Sequence, residues 1–280
     1  MTAFSATDDY VAGPDHRVPI RRYQSTSEGR DAAAAPTLVW LHGGGFFKGS
    51  IDQPEADAVA RALAARGITV VTVDYRLARL PLIGGVIARG SQPGAHFPLP
   101  LDDVVTVVQH ETSSHGLLLG GASAGACLAA AATLRLLDLD SGPHLDGVVL
   151  AYGFFHARFP RIAQIQRRVR GRRRITHAPR LLDAGNLNYA GSRLALTERT
   201  AFPGGHDLRG FPDAILVDAD RDIMRGSSNS FVAELIATGT DVERHVLPET
   251  RHAFLNRPEL PEFAVAIDLI SAWSLTRRRP

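Results

Sequence analysis

Gly121-Ala122-Ser123-Ala124-Gly125 spells G-x-S-x-G, and the apolar run Gly116 to Gly120 leads straight into it. Beyond it, Cys127 to Ala132 is small, apolar and free of Gly and Pro, which reads as helix. A serine on a tight strand-to-helix turn needs small neighbours, because larger side chains would collide with the adjoining strand and helix. Such a turn holds the hydroxyl out at the sheet edge, with the next backbone N–H at a helix start. Serine is a poor nucleophile at neutral pH. It needs a base to take its proton and a third group to orient that base. The chemistry implied is attack of Ser123 on an acyl carbon, with an acid and then a histidine expected downstream, each in the loop after a strand.

The alternating run Asp241 to Leu247 reads as a strand, and His252 lies on the loop between it and the last helix. His245 is the rival, but alternation puts it inside the strand. The acid is less well separated. Ala214 to Val217 is a short buried strand followed by Asp218, Asp220 and Asp222. Spacing alone leaves all three open, and those not used would serve as charge at a helix N-terminus.

At the other end of the chain, the apolar strand Thr37 to Leu41 runs into His42-Gly43-Gly44-Gly45-Phe46. Consecutive glycines let backbone N–H groups converge where negative charge develops on a carbonyl oxygen. The expected donors are in Gly43, Gly44 and Gly45, with Gly44 and Gly45 favoured, together with Ala124. A phosphate loop is a poor alternative, because Lys48 precedes its glycine instead of following it.

With these pieces in this order, the chain resembles the hormone-sensitive-lipase-like branch of the α/β-hydrolase esterases. The matching segments are His42 to Phe46, Val73-Asp74-Tyr75-Arg76-Leu77-Ala78, the elbow at Ser123, Asp222-Ile223-Met224-Arg225 and His252-Ala253-Phe254. They cover roughly residues 10 to 275. The resemblance carries the acid onto Asp222, since Asp222 to Arg225 aligns with the family's D-x-L-R. It implies an α/β-hydrolase fold with a mostly parallel central sheet, helices on both faces and a small cap. It also implies serine carboxylester hydrolysis, with short to medium acyl chains preferred and no cofactor. The chain departs from the pattern at Ala122 (usually Asp), Ala126 (usually Gly) and Gly226-Ser227 (usually Asp-Glu). Residues 79–95 are interposed before His96-Phe97-Pro98, and few residues precede the first hairpin, which starts near Val11.

Strand patterns at 36–41, 68–74, 116–120, 146–152, 213–218 and 242–247 alternate with helix patterns at 54–66, 101–111, 124–137, 224–238 and 261–275. That alternation argues independently for a mostly parallel sheet, with ligands at the carboxyl ends of its strands. A single domain over residues 1–280 is expected, with cap segments at 79–95 and 154–210. Phe46 and Tyr189 are expected to border the substrate pocket. The apolar stretch Leu82 to Ile87 is another candidate flap.

Six arginines fall between Arg167 and Arg174, yet the net charge is only +2, and the run lacks interleaved aromatics. A solvated face is the simpler reading, so no nucleic-acid partner is expected. Cys127 is the only cysteine, which excludes an internal disulfide. Residues 116–134 carry no charge, but Gly120, Gly121 and Gly125 break them into strand and helix, so stable membrane insertion is not expected. Asp8 and Asp9 stand where a signal peptide would need an apolar run, which favours a cytoplasmic location. No metal motif is present, a small-molecule ester is the expected partner, and a homodimer is left open. Two alternatives keep the pocket: turnover of a specialised lactone, amide or acyl donor, and ligand binding without turnover.

Overall fold

The computed structural model describes residues 4–26, 36–78, 95–169, 171 and 177–277. In chain order these form β1 (Phe4–Ala12), β2 (Arg17–Ser25), β3 (Thr37–Leu41), α1 (Asp57–Ala64), β4 (Thr69–Val73), α2 (Leu99–His110), β5 (Leu117–Ala122) and α3 (Ala124–Leu137). There follow β6 (Gly147–Ala151), α4 (Ala163–Arg168), α5 (Pro179–Ala190), β7 (Ala214–Arg221), α6 (Arg225–Ala237), β8 (Val242–Arg251) and α7 (Pro261–Thr276). The strands make one sheet in the order β1-β2-β4-β3-β5-β6-β7-β8. β1, β2 and β4 pair antiparallel, and every pairing from β4 across to β8 is parallel.

The central strands are short, unbroken apolar runs such as Thr37–Leu41 and Gly147–Ala151, buried on both faces as a covered parallel sheet requires. Period-two alternation divides their side chains between two cores. Leu38 and Trp40 of β3, Val149 of β6 and Val217 of β7 meet Leu63 of α1 and Ile267 and Trp273 of α7. Val39, Leu41 and Leu216 point the other way, toward Val104 of α2, the alanines of α3 and Phe231 of α6. The α/β architecture read from the sequence is therefore the observed one.

Two strands run further than their apolar content implies. β7 continues through Arg221 and β8 through Arg251. β8 is the edge strand, so Pro248 removes no N–H that a further strand would need. In β7, Asp218 and Asp220 each have cationic partners, described below, that let charged residues stay in a buried strand. The helix expected at 54–66 begins three residues later, and residues 54–56 form a turn. Of the two expected cap segments, 154–210 holds α4 and α5, whereas 79–94 lies outside the described residues, with the Leu82–Ile87 stretch. Among the described residues, no helix is long and apolar enough to cross a membrane.

Backbones approach very closely at the elbow. A Cβ on Gly121 would stand 2.6 Å from the Gly125 carbonyl oxygen and 2.8 Å from that of Leu41. One on Gly125 would collide with the same Leu41 oxygen and lie 2.5 Å from the His42 oxygen. All of these are backbone atoms, which cannot rotate away. Gly125→Ala should therefore destabilise the protein by about 1–3 kcal/mol, a typical overpacking cost. Gly185→Ala is the control: a Cβ there meets nothing within 4 Å, inside helix α5. It should be neutral or stabilising by up to about 1 kcal/mol. Thermal and urea melts of the two variants check both expectations.

Candidate active site

Four loops at the carboxyl ends of β3, β5, β7 and β8 converge on one place. Ser123 follows β5 directly and takes φ 55°, ψ −116°. That backbone is strained for a residue with a Cβ and persists only where the surroundings enforce it. Its N–H donates to the Ala151 oxygen at 2.9 Å, tying the turn to β6. Ser123 Oγ lies 2.9 Å from His252 Nε2, and His252 Nδ1 lies 2.6 Å from Asp222 Oδ2. The second Asp222 oxygen accepts the Met224 N–H at 3.0 Å, which fixes the carboxylate plane. All three side chains are buried. With Nδ1–H donating to Asp222, Nε2 is left to accept from the serine hydroxyl.

The contest among the three aspartates is decided by partners. Asp218 Oδ2 accepts from Ser228 Oγ at 2.7 Å and from Arg244 at 2.6 and 2.9 Å. Asp220 takes Arg225 at 2.7 Å and also Arg168. Only Asp222 of the three meets the histidine. Neither of the others caps a helix; both form ion pairs within the fold. His245, inside β8, faces Glu243 at 2.7 Å, away from Ser123's partner. Arg168 belongs to the basic run, so part of that run joins α4 to β7 instead of forming a free cationic face. Arg170 and Arg172 to Arg174 lie outside the described residues.

The glycine loop is fixed from behind. Tyr75 O–H donates to the His42 oxygen at 2.6 Å, and the two rings stack with centroids 4.3 Å apart. His42 Nδ1–H donates to the Gly43 oxygen at 2.7 Å. Burial pushes the His42 pKa down to about 4, so the ring stays neutral at ordinary pH. Gly44 has φ 120°, and a Cβ on it would run into the Lys48 carbonyl. The expectation that Gly43 is an oxyanion donor is corrected, because its N–H is committed to Glu55 Oε1 at 2.7 Å. The N–H groups of Gly44, Gly45 and Ala124 have no acceptor among the described residues.

Ser123, His252, Gly44 and Gly45 open onto a cavity of about 710 Å³. Its apolar wall is made by Phe47, Phe154, Phe159, Leu181, Leu182 and Met224. The expectation that Phe46 and Tyr189 border this pocket is also corrected. Both are fully buried and stack on each other with centroids 3.8 Å apart, beneath the wall. Phe46 takes φ 68°, which turns it inward and leaves Phe47 as the pocket residue. Sequence reasoning missed Phe47, the α5 leucines, His177 (whose ring meets His252 edge-on at 5.4 Å) and Glu55. No local pattern marks them, since each is defined by contacts with distant segments.

Residues 38–256 match the family described as alpha/beta hydrolase fold. Among solved structures, the chain superposes on a hyperthermophilic esterase from the archaeon Pyrobaculum calidifontis with a TM-score of 0.82 and 23% identity, covering 97% of this chain and 85% of that one. Carboxyl esterase 2 of the fungus Tuber melanosporum gives a TM-score of 0.80 at 20% identity, over 99% and 87% of the two chains. A curated relative, the versiconal hemiacetal acetate esterase of Emericella nidulans, is 32% identical over 136 residues. That match spans 47% of this chain and 41% of the relative.

Asp222 and Asp218 should respond in opposite ways to loss of their charge. Asp222→Asn should lower turnover by about 10⁴-fold with little change in melting temperature, because it disturbs the tautomer and orientation of the imidazole. Asp218→Asn should do the reverse, destabilising by about 1–3 kcal/mol through its weakened bonds to Arg244 and Ser228 while sparing the relay. Kinetics and urea melts on both variants separate the cases. Burial of His42 makes stability depend on pH. Folded His42 stays neutral to about 4, whereas an unfolded histidine titrates near about 6.5. Between those values only the unfolded chain takes up this proton, so His42 costs stability as pH falls, by up to about 1.4 kcal/mol per unit. Urea midpoints measured from pH 7 to pH 4 should therefore fall less steeply in His42→Asn than in the native chain.

Proposed function

The chain belongs to the alpha/beta hydrolase fold family, and from that membership and the arrangement around Ser123 we propose that it is a serine carboxylester hydrolase acting on short- to medium-chain acyl esters. The observation that carries the proposal is the continuous line from Asp222 through His252 to Ser123, opening onto a cavity beside uncommitted backbone N–H groups.

Ser123 Oγ attacks the ester carbonyl carbon as its proton passes to His252 Nε2. Asp222 accepts the hydrogen bond from Nδ1–H and stabilises the imidazolium that forms. The carbonyl oxygen, now negative, rests against the N–H groups of Gly44, Gly45 and Ala124. Such donors act most strongly in a site closed to water, and each contributes about 10²–10³ in rate. His252 returns the proton to the departing alcohol oxygen as the C–O bond breaks, leaving an acyl ester on Ser123. A water then gives its proton to His252 and attacks that ester, and collapse of the adduct frees the acid and restores the serine.

The size and lining of the cavity support a short to medium acyl group. About 710 Å³ falls within the range of small-molecule sites, and the wall of Phe154, Phe159, Leu181 and Leu182 suits an alkyl or aryl portion better than a charged one. Segment 154–210 supplies those four residues, and we assign it as the cap over the site. The Emericella nidulans relative is named for an acetate ester, in keeping with a short acyl group.

Hydrolysis of p-nitrophenyl esters from acetate to palmitate, run beside Ser123→Ala, tests the reading. Turnover should peak at short or medium chains and fall on the order of 10⁶-fold in the variant. An activity that survives in Ser123→Ala, or an optimum at palmitate, would count against it.

A further inference from the structure

Glu55 is a buried carboxyl beside the relay that the chemistry above does not use. It is only 2% exposed, in the turn before α1. Its Oε1 accepts the Gly43 N–H at 2.7 Å. Its Oε2 accepts Asn256 Nδ2–H at 2.6 Å and Tyr152 O–H at 2.9 Å. The backbone of the same residue is held too: Trp40 Nε1–H donates to the Glu55 oxygen at 2.8 Å, and the Glu55 N–H donates to Asn256 Oδ1 at 3.2 Å. That last bond fixes which way the Asn256 amide faces.

These partners come from three loops. Gly43 begins the glycine loop after β3, Tyr152 follows β6, and Asn256 ends the 3₁₀ turn Phe254–Asn256 that follows His252. Tyr152 also meets the His252 ring edge-on at 5.1 Å. A carboxylate in this position is costly unless its lone pairs are filled, and three donors fill them. Burial pushes the carboxyl up, while the facing His252 and the three donors oppose that push.

We propose that Glu55 is a positioning residue for acyl transfer, holding the Gly43–Gly45 loop and the His252 loop in register through one carboxylate; the inference rests on the serine-hydrolase reading. By taking the Gly43 N–H, the carboxylate orients the next two peptides of the loop toward Ser123. By holding Asn256 it sets the exit of the His252 loop. Its charge also counts. Among the described residues, Asp222, Ser123, Tyr152 and His177 contact the imidazole, and the buried Glu55 carboxylate attracts it through space. A second negative charge there favours the protonated ring, the form that the general base reaches in the transition state.

The test is Glu55→Gln, with phosphonylation of Ser123 by a fluorophosphonate and p-nitrophenyl acetate kinetics as readouts. Glutamine keeps the shape, but in either orientation its NH₂ group faces a donor, the Gly43 N–H or the Asn256 NH₂, and Asn256 cannot flip without losing the Glu55 N–H. Both kcat and the labelling rate should fall about 10- to 100-fold, with KM changed less than about twofold. The acid limb of the kcat/KM profile should move to lower pH, because loss of the charge disfavours the protonated imidazole. A merely structural glutamate would not move that limb. Tyr152→Phe covers the case in which Glu55→Gln fails to fold, and should lower kcat severalfold at unchanged KM. Normal kcat with an unmoved acid limb in Glu55→Gln, or normal kcat in Tyr152→Phe, overturns the role of Glu55 while leaving the hydrolase reading intact. A native protein that neither turns over esters nor takes the label overturns both.

Discussion

Everything at the site depends on how closely the end of β3 approaches the first turn of α3. No side chain fits between them: Gly125 lies against the Leu41 and His42 carbonyls, and Gly121 against Gly125 itself. That contact puts the glycine loop, which starts at the end of β3, next to the serine, which starts α3. The strained backbone of Ser123 follows from it. A looser elbow could relieve the strain, but it would separate the N–H groups of Gly44 and Gly45 from the Oγ they are proposed to serve. Strain here is the geometric cost of placing Ser123 and the glycine loop at the ends of adjacent strands.

The second organising fact is electrostatic. Four carboxyl groups, Glu55, Asp218, Asp220 and Asp222, are buried around one end of the sheet. Each has separate donors. Arg244 and Ser228 hold Asp218, Arg225 and Arg168 hold Asp220, Gly43, Tyr152 and Asn256 hold Glu55, and His252 with the Met224 N–H holds Asp222. If the arginines near Asp218 and Asp220 were absent, those carboxylates would compete for the imidazole or neutralise each other by sharing protons. Separate partners leave Asp222 as the one carboxylate of the four that hydrogen-bonds to His252.

These same partnerships explain what could be read in advance. The elbow, the glycine loop and His252 were legible because each is a local pattern of residue types at a strand end. The layered fold was legible for a similar reason, since short apolar runs of period two alternate with stretches of helical period. The acid was not settled by spacing. Asp218, Asp220 and Asp222 differ in function because Arg244, Arg168 and His252 reach them from other elements, and only the match of Asp222 to Arg225 with a family pattern separated them. Glu55 left no signal, as an acidic residue at the start of a helix has an ordinary role with the helix dipole. Phe46 was misread because neighbouring aromatics in a loop face opposite ways according to one backbone angle, and its positive φ is not written in the residue type. Gly43 was misread because the acceptor that occupies it lies on a later turn.

The cavity and the relay are built from different parts of the chain, and that bears on how substrate preference can change. Ser123, Asp222 and His252 sit at strand ends, whereas Phe154, Phe159, Leu181 and Leu182 come from segment 154–210. The segment is not free to vary throughout, because its roots are tied to the same strands and helices. Arg168 pairs with Asp220 of β7, and His156 bonds to Ser227 at 2.8 Å and to Glu234 at 3.0 Å, both in α6. Asp220 is two residues from Asp222, so the Arg168 pair anchors the segment close to the carboxylate that meets His252. Leu181, by contrast, is more than half exposed. Exchanging Leu181 should therefore reshape the cavity with less loss of packing than exchanging Leu182, which packs against the core, while the anchoring pairs constrain how far the segment as a whole can move.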